Sequence, residues 1–268
     1  MTRLLLETAT DVCSVAVARG AEVLAEHTAG EKFQHSSHLT VFIKQVLREA
    51  SVTIAELSEV VLSDGPGSYT SLRVGAATAK GLCVALPGLQ LRVVPTLTAL
   101  AVASDVELVL ATINSRRGEV FGQLFYKGAT SFGVGALNVS LVQSIVEDEQ
   151  GWWAAPRNIR LTETDWAAPL LALERTVMVV GPGRERLLQA TGLPKNLEAG
   201  FPEYCSATHL LAPATSPFPS YRVGPGGPQP GSTDGDLPAY SRLVDIASYE
   251  PFYLNPPFVT KSRKQPLG

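Results

Sequence analysis

This chain has few of the residues that usually announce a chemistry. Its three cysteines, Cys13, Cys83 and Cys205, are far apart and odd in number. No Cys-x-x-Cys pair exists, so a zinc ribbon or a disulfide framework is excluded and reduced, buried thiols are expected. Charged residues make up only 18% of the chain, with a net charge of −3. A free-standing nucleic-acid binder carries a basic excess, so any service to RNA would run beside a partner that grips the phosphates. Long apolar runs are missing too. The best stretch, Leu97 to Ile113, is broken by Asp105 and Glu107, well short of a membrane span. Met1-Thr2-Arg3-Leu4 runs straight into Glu7 and lacks the pattern of a secretory signal. A soluble cytoplasmic protein with no membrane partner is the expectation.

What is present suits a globular α/β protein. The 268 residues are 45% apolar, enough for one large domain or two small ones and too apolar for general disorder. Arg3 to Thr8, Cys13 to Ala18 and Ala21 to His27 read as three consecutive strands, an antiparallel meander. Ser36 to Glu49 follows as a helix, with Leu39, Phe42, Ile43, Val46 and Leu47 on one face. Thr53 and Glu56 have the spacing of a capping box. Strands at Val60 to Leu62 and Leu91 to Val94 alternate with helices at Thr70 to Val84 and Thr96 to Ala103, the last opened by a threonine suited to capping it. Strands at Glu107 to Ile113 and Glu119 to Tyr126 flank the turn Asn114-Ser115-Arg116-Arg117-Gly118. Val177 to Val180 leads through Gly181-Pro182-Gly183 to a helix at Glu185 to Ala190. Of the 19 prolines, 12 lie after residue 200, and Pro213 to Pro238 reads as an exposed irregular loop. Short structure is expected to return at Ala239 to Ile246, before a basic tail, Lys261 to Lys264. No repeat of 20 to 50 residues is visible. The pattern predicts an α/β protein with a mixed sheet, in two subdomains, 1–105 and 106–268.

The strongest local signal is Asp64-Gly65-Pro66-Gly67-Ser68-Tyr69-Thr70-Ser71-Leu72-Arg73, between a strand and a helix. Gly65 and Gly67 permit close backbone approach. Ser68 or Thr70 suits a helix cap, the helix start favours an anion, and Arg73 adds a fork of donors. A glycine-turned helix start with no ligand explains the same residues equally well. Other chemistries lack a necessary part. There is no Gly-x-x-x-x-Gly-Lys-Ser/Thr, and Thr70 replaces the third glycine of a dinucleotide fingerprint. No Gly-x-Ser-x-Gly elbow is present. His35 and His38 stand three apart with no further ligand placed beside them, so no metal is expected. The 70–84 helix is rich in small residues: Gly75 and Ala79 are one turn apart, as are Ala77 and Gly81. That surface suits close helix contact, either inside the protein or with a partner.

With these motifs in view the chain resembles the TsaB family. Leu4 to Ala16 is similar to that family's opening strand and turn, and His35-Ser36-Ser37-His38-Leu39 to its helix start. Gly65 to Gly75 is similar to its signature loop, and Asn114 to Phe121 and Glu250-Pro251-Phe252-Tyr253-Leu254 also fit. Ser71 departs from the family's usual glycine, and the Pro213 to Pro238 segment looks longer than in compact members. The resemblance implies an actin-like ATPase fold, shared with sugar kinases, Hsp-type chaperones and actin, in two subdomains with mixed sheets flanked by helices. It implies a non-catalytic subunit that binds and activates TsaD for threonylcarbamoyl transfer to a tRNA adenosine beside the anticodon. TsaE joins the complex and tRNA is met through it. An exposed apolar patch seeks cover, so when TsaD is absent pairing of the same seam with a second copy, as a homodimer, is open.

On that resemblance the expected partner surface is His35, Leu39, Phe42, Ile43, Val46, Leu72, Gly75, Ala76 and Ala79. No catalytic residue is expected. ATP or ADP would touch the chain only at the partner interface, through Gly65, Gly67, Ser68, Thr70 and Arg73. The local residues agree with lost catalysis. Active relatives carry Asp-x-Gly-Thr in the first turn, whereas Glu7-Thr8-Ala9-Thr10 stands here and Ala9 adds a Cβ where glycine admits phosphate. The His-x-x-x-His motif of TsaD is absent. An actin-fold phosphotransferase or a degenerate glycoprotease-like enzyme is the alternative.

Overall fold

The computed structural model describes residues 1–29, 35–104, 106, 108–126, 156–163, 165–167, 170, 175–215 and 241–255. The Pro213 to Pro238 segment lies almost wholly outside these residues, as do the basic tail and the side chain of His35.

Two sheets organise the chain. The first is built from β1 (Thr2–Glu7), β2 (Cys13–Arg19), β3 (Glu22–Ala29), β4 (Glu59–Ser63), β5 (Gln90–Val94) and β11 (Arg242–Val244), in the order β11-β5-β4-β1-β2-β3. The second is built from β6 (Leu108–Asn114), β7 (Glu119–Tyr126), β8 (Arg157–Arg160), β9 (Val177–Val180) and β10 (Leu197–Ala199), in the order β10-β9-β6-β7-β8. The two orders are the same topology used twice. In each, an antiparallel meander (β1-β2-β3, β6-β7-β8) is followed by two strands added in parallel on the far side of its first strand. The duplication lies in strand order and spans whole lobes, so a search for short sequence repeats passes over it. β11 returns to the first sheet, antiparallel to β5, so the end of the chain belongs with the beginning.

Sequence dictates the layers directly. β1 is buried on both faces, and its period of two divides the first core. Leu4 and Leu6 pack with Val15, Val17, Val60 and Leu62 beneath α1 (His35–Glu49) and α2 (Tyr69–Ala85). Leu5, Ala16, Ala18 and Val61 face the other way, onto Ala99 of α3 (Thr96–Ala103) and the segment Ala207–Ala214. α3 also sends Leu97, Leu100 and Ala101 into the second lobe, against Val109, Ala111, Phe121 and Phe125. It is therefore packed between the sheets and sets their spacing. β3, by contrast, is half exposed and forms the sheet edge. Glu59, fully buried in β4, is clasped by Arg3 at 2.7 Å and Arg92 at 2.8 Å. All three cysteines are buried and free.

Candidate functional site

Both glycine turns sit at equivalent points of the duplicated topology. Gly65-Pro66-Gly67 follows β4, and Gly181-Pro182-Gly183 follows β9. Each turn is pressed onto the end of its lobe's first strand. The Ser68 amide donates to the Ala9 carbonyl at 2.7 Å, and a Cβ on Gly67 would collide with that same carbonyl. In the second lobe the Gly183 amide donates to the Thr112 carbonyl at 3.2 Å, and a Cβ on Gly183 would crowd Thr112 and Ile113. The glycines thus serve backbone-to-backbone approach.

The first turn is locked from below. Glu7 is buried, and its carboxylate accepts the Ala9 amide at 2.6 Å. Burial pushes the Glu7 carboxyl up to about 7, against the opposing pull of hydrogen bonds from Ala9 and Ser63. The neighbouring thiols are raised as well, chiefly by burial and then by the Glu7 charge: Cys13 to about 11, and Cys205 well above the usual thiol value. None of the three cysteines is poised as a thiolate nucleophile.

The glycine loop is held by the end of the chain. The Asp64 carbonyl accepts the Phe252 amide at 2.8 Å. Its carboxylate accepts the Tyr249 hydroxyl at 3.0 Å and the Arg242 guanidinium at 3.1 Å. Burial raises the Asp64 carboxyl, while Arg242 and Tyr249 pull it down. Thr96, expected as a helix cap, instead accepts the Gly65 amide at 3.1 Å and returns its own amide to the Gly65 carbonyl at 2.8 Å. Tyr253 lies against Tyr69, with ring centroids 4.6 Å apart. The Arg73 guanidinium sits 4.9 Å above the Tyr69 ring and hydrogen-bonds Tyr253. Ser71, the departure from the family pattern, donates its hydroxyl to Ser68 at 3.0 Å.

These bonds redefine the residues expected to meet an anion. The Gly65 amide is taken by Thr96, the Ser68 amide by Ala9, Gly67 by close contact, and Arg73 by two tyrosines. Thr70 and Arg73 are the two of the five that are exposed. Ser68 occupies the cap position of α2 without a side-chain cap bond.

The residues expected to form the partner surface are corrected in the same way. Leu39, Ile43, Val46, Leu72, Ala76 and Ala79 are all buried, and most of them pack on β1, β2 and β4. Gly75 is buried with them, and a Cβ there would collide with the Thr8 hydroxyl. These residues are small because the helix rides close on its own sheet. Phe42 is partly buried, stacked on His27 at 5.6 Å and tilted against His38 at 5.4 Å between ring centroids. The outward face of α2 is instead Thr70, Arg73, Ala77, Gly81 and Val84. Val84 is 72% exposed, and nothing lies within 4 Å of a Cβ on Gly81. Val41, 47% exposed, is the outward apolar residue of the adjacent α1.

Between the lobes lies a cleft of about 480 Å³. Residues 9–12 and 67–69 line it from the first lobe, residues 113–116 with Phe121, Pro182 and Arg186 from the second, and Tyr253, Leu254 and Asn255 from the end of the chain. Asn114 reaches the Pro182 carbonyl at 2.8 Å, and Arg186 donates to the carbonyls of Arg116 and Glu119 at 3.1 and 3.2 Å. Among the described residues no group of three or more His, Cys, Asp or Glu is placed to hold a metal ion, and no helix is long and apolar enough to cross a membrane.

A duplicated meander-plus-parallel lobe with a cleft between the copies is the architecture of the actin-like ATPase fold, and this chain is an actin-like fold protein. Two structures of YeaZ-like proteins from Pseudomonas aeruginosa superpose with TM-scores of 0.59 and 0.58 at 21% identity, covering 80% of this chain and 89% and 91% of theirs. The family described as "TsaD: tRNA N6-adenosine threonylcarbamoyltransferase" matches residues 22–133. Proteins called "tRNA threonylcarbamoyladenosine biosynthesis protein TsaB" match more broadly. The Bacillus subtilis protein is 28% identical over 68% of this chain and 71% of its own length. The Haemophilus influenzae protein is 32% identical over 45% of this chain and 52% of its own. The protein from Buchnera aphidicola (Acyrthosiphon pisum) is 27% identical over 54% of this chain, which spans just under two thirds of that relative at 66%. The chain is similar to proteins of the TsaB family.

Proposed function

We propose that this chain is a non-catalytic scaffold subunit in tRNA threonylcarbamoyladenosine formation, binding and activating TsaD. The observation that carries the reading is the closed pair of turns. Ala9 and Gly67 are in mutual backbone contact, so the space an actin-like ATPase gives to phosphate is filled by protein. An open cradle needs free amides at the helix start. Here the Ser68 amide is bonded to Ala9, and Glu7 holds the Ala9 amide from behind. The same observation counts against the phosphotransferase alternative, and the raised thiols count against a cysteine peptidase.

In this reading the docking face is the outward stripe of α2, Thr70, Arg73, Ala77, Gly81 and Val84, beside Val41 of α1. Small residues at one-turn spacing let a partner helix approach closely, and exposed Val84 and Val41 supply apolar contact. TsaE and tRNA are met through the assembly, a second copy covers the same stripe when TsaD is absent, and ATP or ADP is touched only at the shared interface. The cytoplasm is the compartment in which tRNA is modified and buried thiols stay reduced.

Two measurements on the purified full-length chain test this. It should hydrolyse no ATP above background, and it should co-purify with TsaD. ATP turnover by the isolated chain, or failure to associate with TsaD, overturns the proposal.

A further inference from the structure

We propose that the partner surface seated on α1 and α2 is acidic, with carboxylates along the edge that meets α1. The inference rests on the docking reading above and adds to it the chemistry of the partner. The two helices hold four cations, Lys44, Arg48, Arg73 and Lys80, against one carboxylate, Glu49, in a chain whose acids outnumber its bases. Glu49 does little to offset them, because it is turned to β3, where His27 Nε2 lies 3.0 and 2.9 Å from its two oxygens. Arg73 is laid on Tyr69 and bonded to Tyr253, and Lys80 faces Asp245 on the far flank of α2. The unbalanced charge is therefore on α1. Lys44 and Arg48 are exposed one turn apart, and neither has a hydrogen bond or ion pair among the described residues. Like charges at that spacing repel along a helix. Arg48 recovers this in the last turn, where the carbonyl end of the helix attracts a cation. Lys44, in the middle of the helix, has no such return, and a local cost without a local gain marks a group that acts outside the chain.

The setting of these cations favours a protein over a nucleic acid. Val41 shares their outward face of α1, and Ala77, Gly81 and Val84 run along the adjacent α2. An apolar seam with charge at its rim is the build of a protein interface. A nucleic acid asks for many cations along its phosphates and for exposed aromatic faces beneath its bases, and this stripe of small and aliphatic residues offers neither. A second copy would bring the same α1 cations to the seam, so an acidic partner has the advantage over self-pairing at low salt. Rim charges act chiefly on the rate of encounter, which is where the partner's carboxylates are read.

The test is the rate of TsaD association with the full-length chain, followed by surface plasmon resonance at about 50 and about 500 mM NaCl. Association of the parent chain should slow by about tenfold between the two. Lys44→Glu combined with Arg48→Glu should slow it by about tenfold at low salt and by less than about twofold at high salt, with the circular dichroism spectrum of the parent. Lys44→Gln, which only removes a charge, should slow it by about threefold at low salt and keeps the test open if the double variant misfolds. Rates that do not respond to salt, or a folded charge-reversed chain that joins TsaD as fast as the parent, overturn the acidic partner and leave the docking face in place. Salt-dependent binding of tRNA by the isolated chain, lost on charge reversal while TsaD association is kept, overturns it as well and makes the face a phosphate site. Absence of a TsaD complex at both salt concentrations overturns the docking reading and this inference with it.

Discussion

Ala9 and Gly67, 58 positions apart in the sequence, touch backbone to backbone, with the Ala9 carbonyl accepting the adjacent Ser68 amide at 2.7 Å. Gly67→Ala places a methyl against that carbonyl, and neither backbone can yield without moving β1 or α2. The variant should lose about 2 kcal/mol or more of stability, read as a lower midpoint in urea. Gly81→Ala makes the contrast, since open space surrounds that position on the outer face of the same helix. It should gain about 0.5–1 kcal/mol from helix propensity. Equal effects of the two substitutions would deny the contact its role.

Glu59 should be the most sensitive charge in the first lobe. Its carboxylate is fully buried and satisfies both Arg3 and Arg92. Glu59→Gln leaves two guanidiniums without their counter-charge, and removal of one member of a buried ion set costs about 3–5 kcal/mol. Because the arginines are 10% and 22% exposed, water relieves part of this, and about 3 kcal/mol is expected. Thermal unfolding checks it, and a midpoint within 2 °C of the parent chain would contradict it.

Stability should fall as pH rises from about 4.5 to about 7. Glu7 has an ordinary carboxyl value of 4.5 and is pushed up to about 7 by burial. Within that window the folded chain keeps a proton that the unfolded chain has released, so the unfolded state binds fewer protons and rising pH favours unfolding. Below 4.5 both states are protonated, and above 7 both are ionised. Glu7→Gln, neutral throughout, should flatten this part of the profile and raise stability at pH 8. Denaturant midpoints of the two proteins at pH 5 and pH 8 make the comparison. Parallel profiles would show that Glu7 does not titrate in this range.

The elements that position the site were legible wherever a periodicity or a turn residue stated them locally. The meander of β1, β2 and β3, the apolar face of α1 and the Thr53 and Glu56 pairing all follow from neighbouring residues; the Thr53 amide and hydroxyl both meet Glu56 at 2.7 Å. The orientation of α2 was not legible. Its small residues occupy the inner face, with Gly75 and Ala79, and the outer face, with Ala77 and Gly81, and composition alone cannot rank the two. The packing of Tyr253 on Tyr69 was hidden for another reason. It joins residues 184 positions apart through a segment that returns to the first lobe, and no local pattern encodes that return. The Asp64 bonds to Arg242 and Tyr249 share that property. Burial was the missing signal at Glu7, since a carboxylate at a strand end reads as a solvated turn until the sheet closes over it.

The two faces of α2 make the sharpest division between folding and docking. Ala79→Arg buries a guanidinium in the apolar cluster against β1 and β4, so the variant should unfold or express poorly. Ala77→Arg and Gly81→Arg place the same group on the exposed stripe, where the chain has room for it. Both should keep the parent circular dichroism spectrum. If a partner helix lies along this stripe, an arginine there holds the helices apart, and TsaD association should weaken by at least about tenfold, the effect of about 1.4 kcal/mol. Thr53→Ala, on the exposed turn before β4, serves as a control for a surface change away from the stripe and should leave association unchanged. Wild-type binding by folded Ala77→Arg and Gly81→Arg would move the docking face off α2. Loss of fold in those two would mean that the outer stripe is already packed in the isolated chain.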